Sequence, residues 1–150
     1  MPLEFPSAAL SGSGPSVQVI DTGGLPNTII DTDDQFTIRV RWSVNQPGAS
    51  LLGGQWLVRA YAESIGPGQE KELGQNPPVT VSVGAGTPGV GPARLDYTAN
   101  VVVPPNSLNA EGPNSSGVYK LVAIVTHQNF GQPTVLAGFS EGDVIQMRNP

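Results

Sequence analysis

His127 is the only histidine of the 150 residues, and with no cysteine in the chain it is the one side chain whose ordinary pKa suits a general base near neutral pH. A Ser or Thr nucleophile would need it, and it would need an orienting partner in turn. It stands beside Gln128, Asn129 and Phe130 in a stretch, 127–133, that reads as a turn, so a solvated loop side chain is expected. No Gly-x-Ser-x-Gly elbow occurs. The glycines of Gly84-x-Gly86 and Gly89-x-Gly91 lead into a strand, so no helix N-terminus stands behind them to hold a phosphate. A glycosidase would want two carboxylates across a cleft, whereas the acids here fall in turns, where they ordinarily face water. The sequence thus assigns no catalytic residue, no cofactor-binding residue and no cofactor, and an enzyme is not expected.

One cluster has metal-like spacing, Asp31-x-Asp33-Asp34. Several loop carboxylates suit Ca²⁺, which takes six to eight oxygens, but the spacing and the glycine of an EF-hand are missing.

The chain carries a net charge of -5 and a pI near 4.6, which leaves no basic patch to neutralise phosphates. Neither nucleic acid nor an anionic membrane is expected as a partner. Charged residues are 13%, against the usual quarter, so much of the surface is Ser, Thr, Asn, Gln and Gly. That composition fits a virion or extracellular assembly better than a cytosolic enzyme. No run of apolar residues is long enough to span a bilayer, and residues 1–16 lack the basic and apolar regions of a secretory leader. A soluble chain is expected, in a compartment the sequence leaves open.

The elements that must position any site are strands. Gly 19 and Pro 15 fall between regular apolar runs rather than within them. Residues 35–44 alternate, with Phe36, Ile38, Val40, Trp42 and Val44 on one face and Gln35, Thr37, Arg39, Arg41 and Ser43 on the other. Residues 56–63 and 95–103 repeat the pattern, 16–20, 28–30 and 79–83 are shorter, and the last limb, 134–139 and 143–147, is broken at Ser140-Glu141-Gly142 as a bulge or a change of partner. The most regular run, 117–126, is apolar at odd and even positions alike, which calls for cover on both faces. Residues 66–77 read as a polar loop. Residues 1–15, with Pro2, Pro6, Pro15 and Ser11-Gly12-Ser13-Gly14, read as a flexible arm ahead of one domain, 16–150.

Seven to eight strands at this spacing predict an all-β, Greek-key β-sandwich. Trp56 opens the third long strand, Gly117-x-Tyr119 opens the strand that follows the long loop after Pro104-Pro105, and Leu121 comes two residues later. On these positions the chain resembles the immunoglobulin-like superfamily, with Trp56 as the core Trp, Tyr119 as the tyrosine-corner Tyr, and Leu121 facing Ile38 or Val40 in place of the disulfide. The resemblance covers roughly 16–147 and carries no function with it. It implies that Asp21, Asp31, Asp33, Asp34, Glu70, Glu72 and Glu111 gather at one pole with only Lys71 to offset them. It also implies that Leu51, Leu52, Arg94, His127 and Phe130 share the other, acid-free pole, the end where such modules often bind ligands.

If Trp56 and Tyr119 point inward, then Leu57, Arg59, Tyr61, Val118, Lys120, Val122, Ile124 and Thr126 share the outside of one sheet, and that face is mainly apolar. An exposed apolar face of this extent is uncommon on a monomer. The expected interface is therefore Leu57, Tyr61, Val118, Val122 and Ile124, covered by a second copy, by another protein, or by the arm through Leu3, Phe5 and Leu10. The sequence reads as a non-enzymatic assembly module, a subunit of a homo-oligomeric shell, filament or virion-decorating particle. The alternative is a monomeric recognition module that binds a carbohydrate or a protein through the neutral pole.

Overall fold

The computed structural model describes residues 12–46, 52–74, 78–89 and 93–150, with the backbone alone of Val135. Leu3, Phe5, Leu10 and Leu51 lie outside the described residues. Among the described residues ten strands form, β1 (Gly12–Ile20), β2 (Ile29–Asp31), β3 (Phe36–Asn45), β4 (Gln55–Ser64), β5 (Glu70–Leu73), β6 (Val79–Ser82), β7 (Thr87–Pro88), β8 (Arg94–Val103), β9 (Val118–Asn129) and β10 (Gln132–Arg148). They build two sheets around one core, a β-sandwich arrangement. One sheet has the order β1-β3-β8-β7; the other runs β2-β10-β9-β4-β5, with β6 also paired to β4. All pairings are antiparallel except that of β2, which runs parallel to the end of β10.

The alternation read in the sequence is the alternation of burial. Ile38, Val40 and Val44 of β3, Trp56 and Ala60 of β4, and Tyr119, Leu121, Ala123 and Val125 of β9 are fully enclosed between the sheets. Two indoles and a phenol fill one end of that core: Trp42 stacks on Tyr97 at 5.6 Å and meets Trp56 edge-on at 6.0 Å. Both buried tyrosines satisfy their hydroxyls on backbone, Tyr97 donating to the Val83 carbonyl at 2.7 Å and Tyr119 to the Asn109 carbonyl at 2.9 Å. Burial pushes the Tyr97 pKa up, with the Trp56 side chain acting in the opposite direction.

Four expectations change. β1 begins at Gly12 rather than Ser16, because Gly14 takes a φ of +90° in a bulge that lets 12–13 pair with 43–44 of β3, so residues 12–15 of the expected arm belong to a strand. The loop expected over 66–77 contains β5, whose charged sequence hides a strand that exists because β4 offers it a free edge. The turn expected over 127–133 shrinks to Phe130 and Gly131, since β9 continues to Asn129 and β10 starts at Gln132. Among the described residues the strand count rises above seven to eight because β5 and β7 are added, short edge strands with too few residues to alternate visibly.

Candidate functional site

The register of β4, β9 and β10 fixes which side chains share the outer face of the larger sheet. Arg59 lies opposite Ile124, and Ile124 opposite Phe139; one row over, Glu72, Tyr61, Val122 and Glu141 line up across four strands. The next row sets Glu63, Lys120 and Val144 side by side. Tyr61, Val118, Val122 and Ile124 are half-buried, Leu57 is buried, and Phe139 and Val144 are exposed at 39% and 48%. The register puts the expected residues Leu57, Tyr61, Val118, Val122 and Ile124 on one face, with Leu57 already buried within the chain, and it extends that face onto β10, which the sequence reading did not include. A bulge between Glu141 and Val144 inserts one extra residue, which keeps Phe139 and Val144 on one face although their spacing is odd.

The charges on this face are bound to each other. Arg59 pairs with Glu72 at 3.5 Å, and Lys120 bridges Glu141 at 3.2 Å and Glu63 at 3.8 Å. Exposed pairs of this kind add little to stability. Their effect here is to hold charged heads beside the apolar strip. Between them Tyr61, Val122 and Ile124 form the floor of a groove of about 400 Å³ whose rim includes Glu63, Glu70 and Glu72. β5, the strand hidden in the sequence, supplies Glu70, Lys71 and Glu72 of that rim, and β4 supplies Glu63.

The smaller sheet is wet by contrast. Arg39 donates to Asn100 at 3.4 Å and Ser43 to Asp96 at 2.7 Å, as its alternating polar face predicts. A recess of about 510 Å³ beside the β1 bulge is lined by Ser13, Ser16, Arg41, Ser43, Asp96 and Thr98 together with Trp42 and Tyr97, so its lining is mixed.

Of the neutral-pole residues within the described chain, one is left presented to solvent. His127 is 2% exposed and lies in β9, which corrects the expectation of a solvated loop side chain. Its Nε2 is 2.7 Å from the Gly53 carbonyl and its Nδ1 2.9 Å from Thr134 Oγ1, so the ring is structural. The phase of β9 held the signal: Tyr119, Leu121, Ala123, Val125 and His127 are successive inward positions. Leu52 packs partly buried on the core, and Arg94 is tied to Asp96 at 3.0 Å. Phe130 remains, 96% exposed at the tip of the β9–β10 hairpin.

At the other end, carboxylate oxygens of Asp31, Asp33 and Asp34 come within 4.8 Å of one another. Arg148, which the sequence reading left out of that pole, donates to Asp31 at 2.8 Å, so Lys71 is not its only cation. Asp21 is committed to its own turn, accepting from the Gly23 and Leu25 amides at 2.9 and 3.0 Å. These bonds, that of Leu25 foremost and then the Asn27 side chain, hold its carboxyl below the usual range.

No protein-family model and no curated protein sequence matches the chain. Among the described residues no helix is long and apolar enough to cross a membrane.

Proposed function

We propose that this chain is a non-enzymatic structural module that assembles with copies of itself through the outer face of β4, β9 and β10, as a subunit of a shell, filament or particle-decorating layer. The observation that carries this reading is the strip of Tyr61, Val122, Ile124 and Phe139, continuous across three strands and left uncovered by the described chain. Apolar surface of this kind gains about 25 cal/mol per Å² when removed from water. The cations that interleave with the strip, Arg59 opposite Ile124 and Lys120 between Val118 and Val122, are held in ion pairs with Glu72 and Glu141, so the face presents them paired.

The scaffold is read as an immunoglobulin-like sandwich. That reading is supported by the strand orders, by the parallel β2–β10 pairing, and by the Tyr119 hydroxyl reaching back to the backbone at the start of β9. Recognition through the neutral pole as a monomer is the weaker reading, since His127 and Leu52 serve the core.

Light scattering after size exclusion tests the proposal. The full chain is expected to run larger than its 15.6 kDa in the tens of micromolar, and Ile124→Glu is expected to return it to that mass with its melting temperature retained. A full chain that stays monomeric at those concentrations rules assembly out.

A further inference from the structure

Phe130 breaks two local rules at once. It takes a φ of +52°, followed by Gly131 at +74°, so the β9–β10 hairpin closes with two successive left-handed residues of the primed type. Such a turn selects Asn or Gly at its first position, and a bulky side chain there is strained. The same side chain is 96% exposed, so the strain is not offset by burial within the chain. An aromatic group held against its conformational preference and presented to water marks a contact made outside the molecule.

We infer that copies of this chain join head to tail, the Phe130 side chain of one copy seating in the Tyr61–Val122–Ile124 groove of the next. This rests on the assembly reading above and specifies its geometry. Three observations select the groove and the occupant. A groove of about 400 Å³ with an apolar floor accommodates a phenyl ring. Its rim carries Glu63, Glu70, Lys71 and Glu72, of which Glu63 and Glu72 are paired with Lys120 and Arg59, so an uncharged segment can cover it without bringing an unpaired charge into the contact. Gln128, Asn129, Gly131, Gln132 and Pro133 are uncharged, whereas Asp31, Asp33 and Asp34 crowd the other end beside Arg148. Finally, Phe130 lies six positions beyond Ile124 along the same strand direction, roughly 20 Å away at an extended rise, so it cannot fill its own groove. A knob and a groove at separate places make a heterologous contact, which leaves one of each free and propagates into a ring or an open chain.

The test is complementation. Phe130→Asn removes the knob and places the preferred residue in the turn, so its melting temperature is expected to equal or exceed that of the parent. Ile124→Glu keeps the knob and spoils the groove. Each variant alone is expected to be monomeric in size exclusion with light scattering, with association weakened about thirtyfold or more. Mixed in equal amounts they are expected to form a one-to-one heterodimer and nothing larger. Continued association of Phe130→Asn while Ile124→Glu is monomeric overturns the head-to-tail contact and leaves assembly through the sheet face standing. Continued association of Ile124→Glu, or a mixture that stays monomeric, overturns the knob-in-groove pairing. A monomeric parent overturns both readings.

Discussion

Trp56 and His127 stand opposite one another across β4 and β9, their ring centroids 5.1 Å apart and their planes tilted by 64°. The Gly53 carbonyl can only accept, so Nε2 carries a proton, while Nδ1 meets a hydroxyl that can donate or accept. The ring thus ties the residues ahead of β4 to the far side of the β9–β10 turn. His127→Phe preserves an aromatic ring against Trp56 but leaves both partners without the imidazole. A loss of about 1–3 kcal/mol is expected, read as a drop of several degrees in thermal melting. Thr134→Val should lose part of the same stability, and the double variant should lose less than the two singles together. A His127→Phe protein as stable as the parent would show that the two hydrogen bonds contribute nothing.

Tyr97 predicts the behaviour at alkaline pH. Its folded pKa lies above the ordinary value, so the neutral phenol is favoured in the folded state. The contribution is full below the unfolded pKa, near 10, and is lost as pH rises through the folded value. Tyr97→Phe should remove about 1 kcal/mol at neutral pH, because the Val83 carbonyl loses its donor, and should flatten the decline of melting temperature above about pH 10. Equal alkaline slopes for parent and variant would assign the decline to another group.

The acid limb belongs in part to Asp21. Its folded pKa is depressed by the amides of its own turn and by Asn27, so the stabilisation is present above the unfolded value of 3.8 and disappears as pH falls through the lower, folded one. Asp21→Asn should therefore melt with a shallower dependence on pH below about 4 than the parent. Parallel acid limbs would place the linkage elsewhere.

What the sequence revealed of this architecture follows from one physical signal, the two-residue period of a strand with unlike faces. Wherever a segment separates core from solvent, as at Phe36–Asn45 or Arg94–Val103, its residues announce the strand. β5 carries no such contrast: Glu70, Lys71 and Glu72 are all exposed, and the strand is dictated by the hydrogen-bonding edge of β4, a partner distant in sequence. His127 was misplaced because its residue type outweighed its phase. The break at Ser140-Glu141-Gly142 was legible, but not that it is a bulge rather than a change of partner, and Phe139 and Val144 were missed because only the bulge lets two residues of odd spacing share a face. The groove inherits both difficulties, being floored by strands legible in the sequence and rimmed by one that is not.

The bulge of β10 also governs which changes of chain length this protein can absorb. Between Glu141 and Val144 the strand advances three residues while β9 advances two, from Val122 to Lys120. Deleting Asp143 would convert that step to a regular ladder, leaving Phe139 and Val144 outside and Ile145 and Met147 inside as before. The same single-codon deletion within residues 137–140 would instead turn one side of the break over, bringing core side chains into water or outer ones into the core. In a lineage of related chains, length variation along this strand should therefore concentrate at 142 and 143, beside Val17 of β1, and be purged on either side.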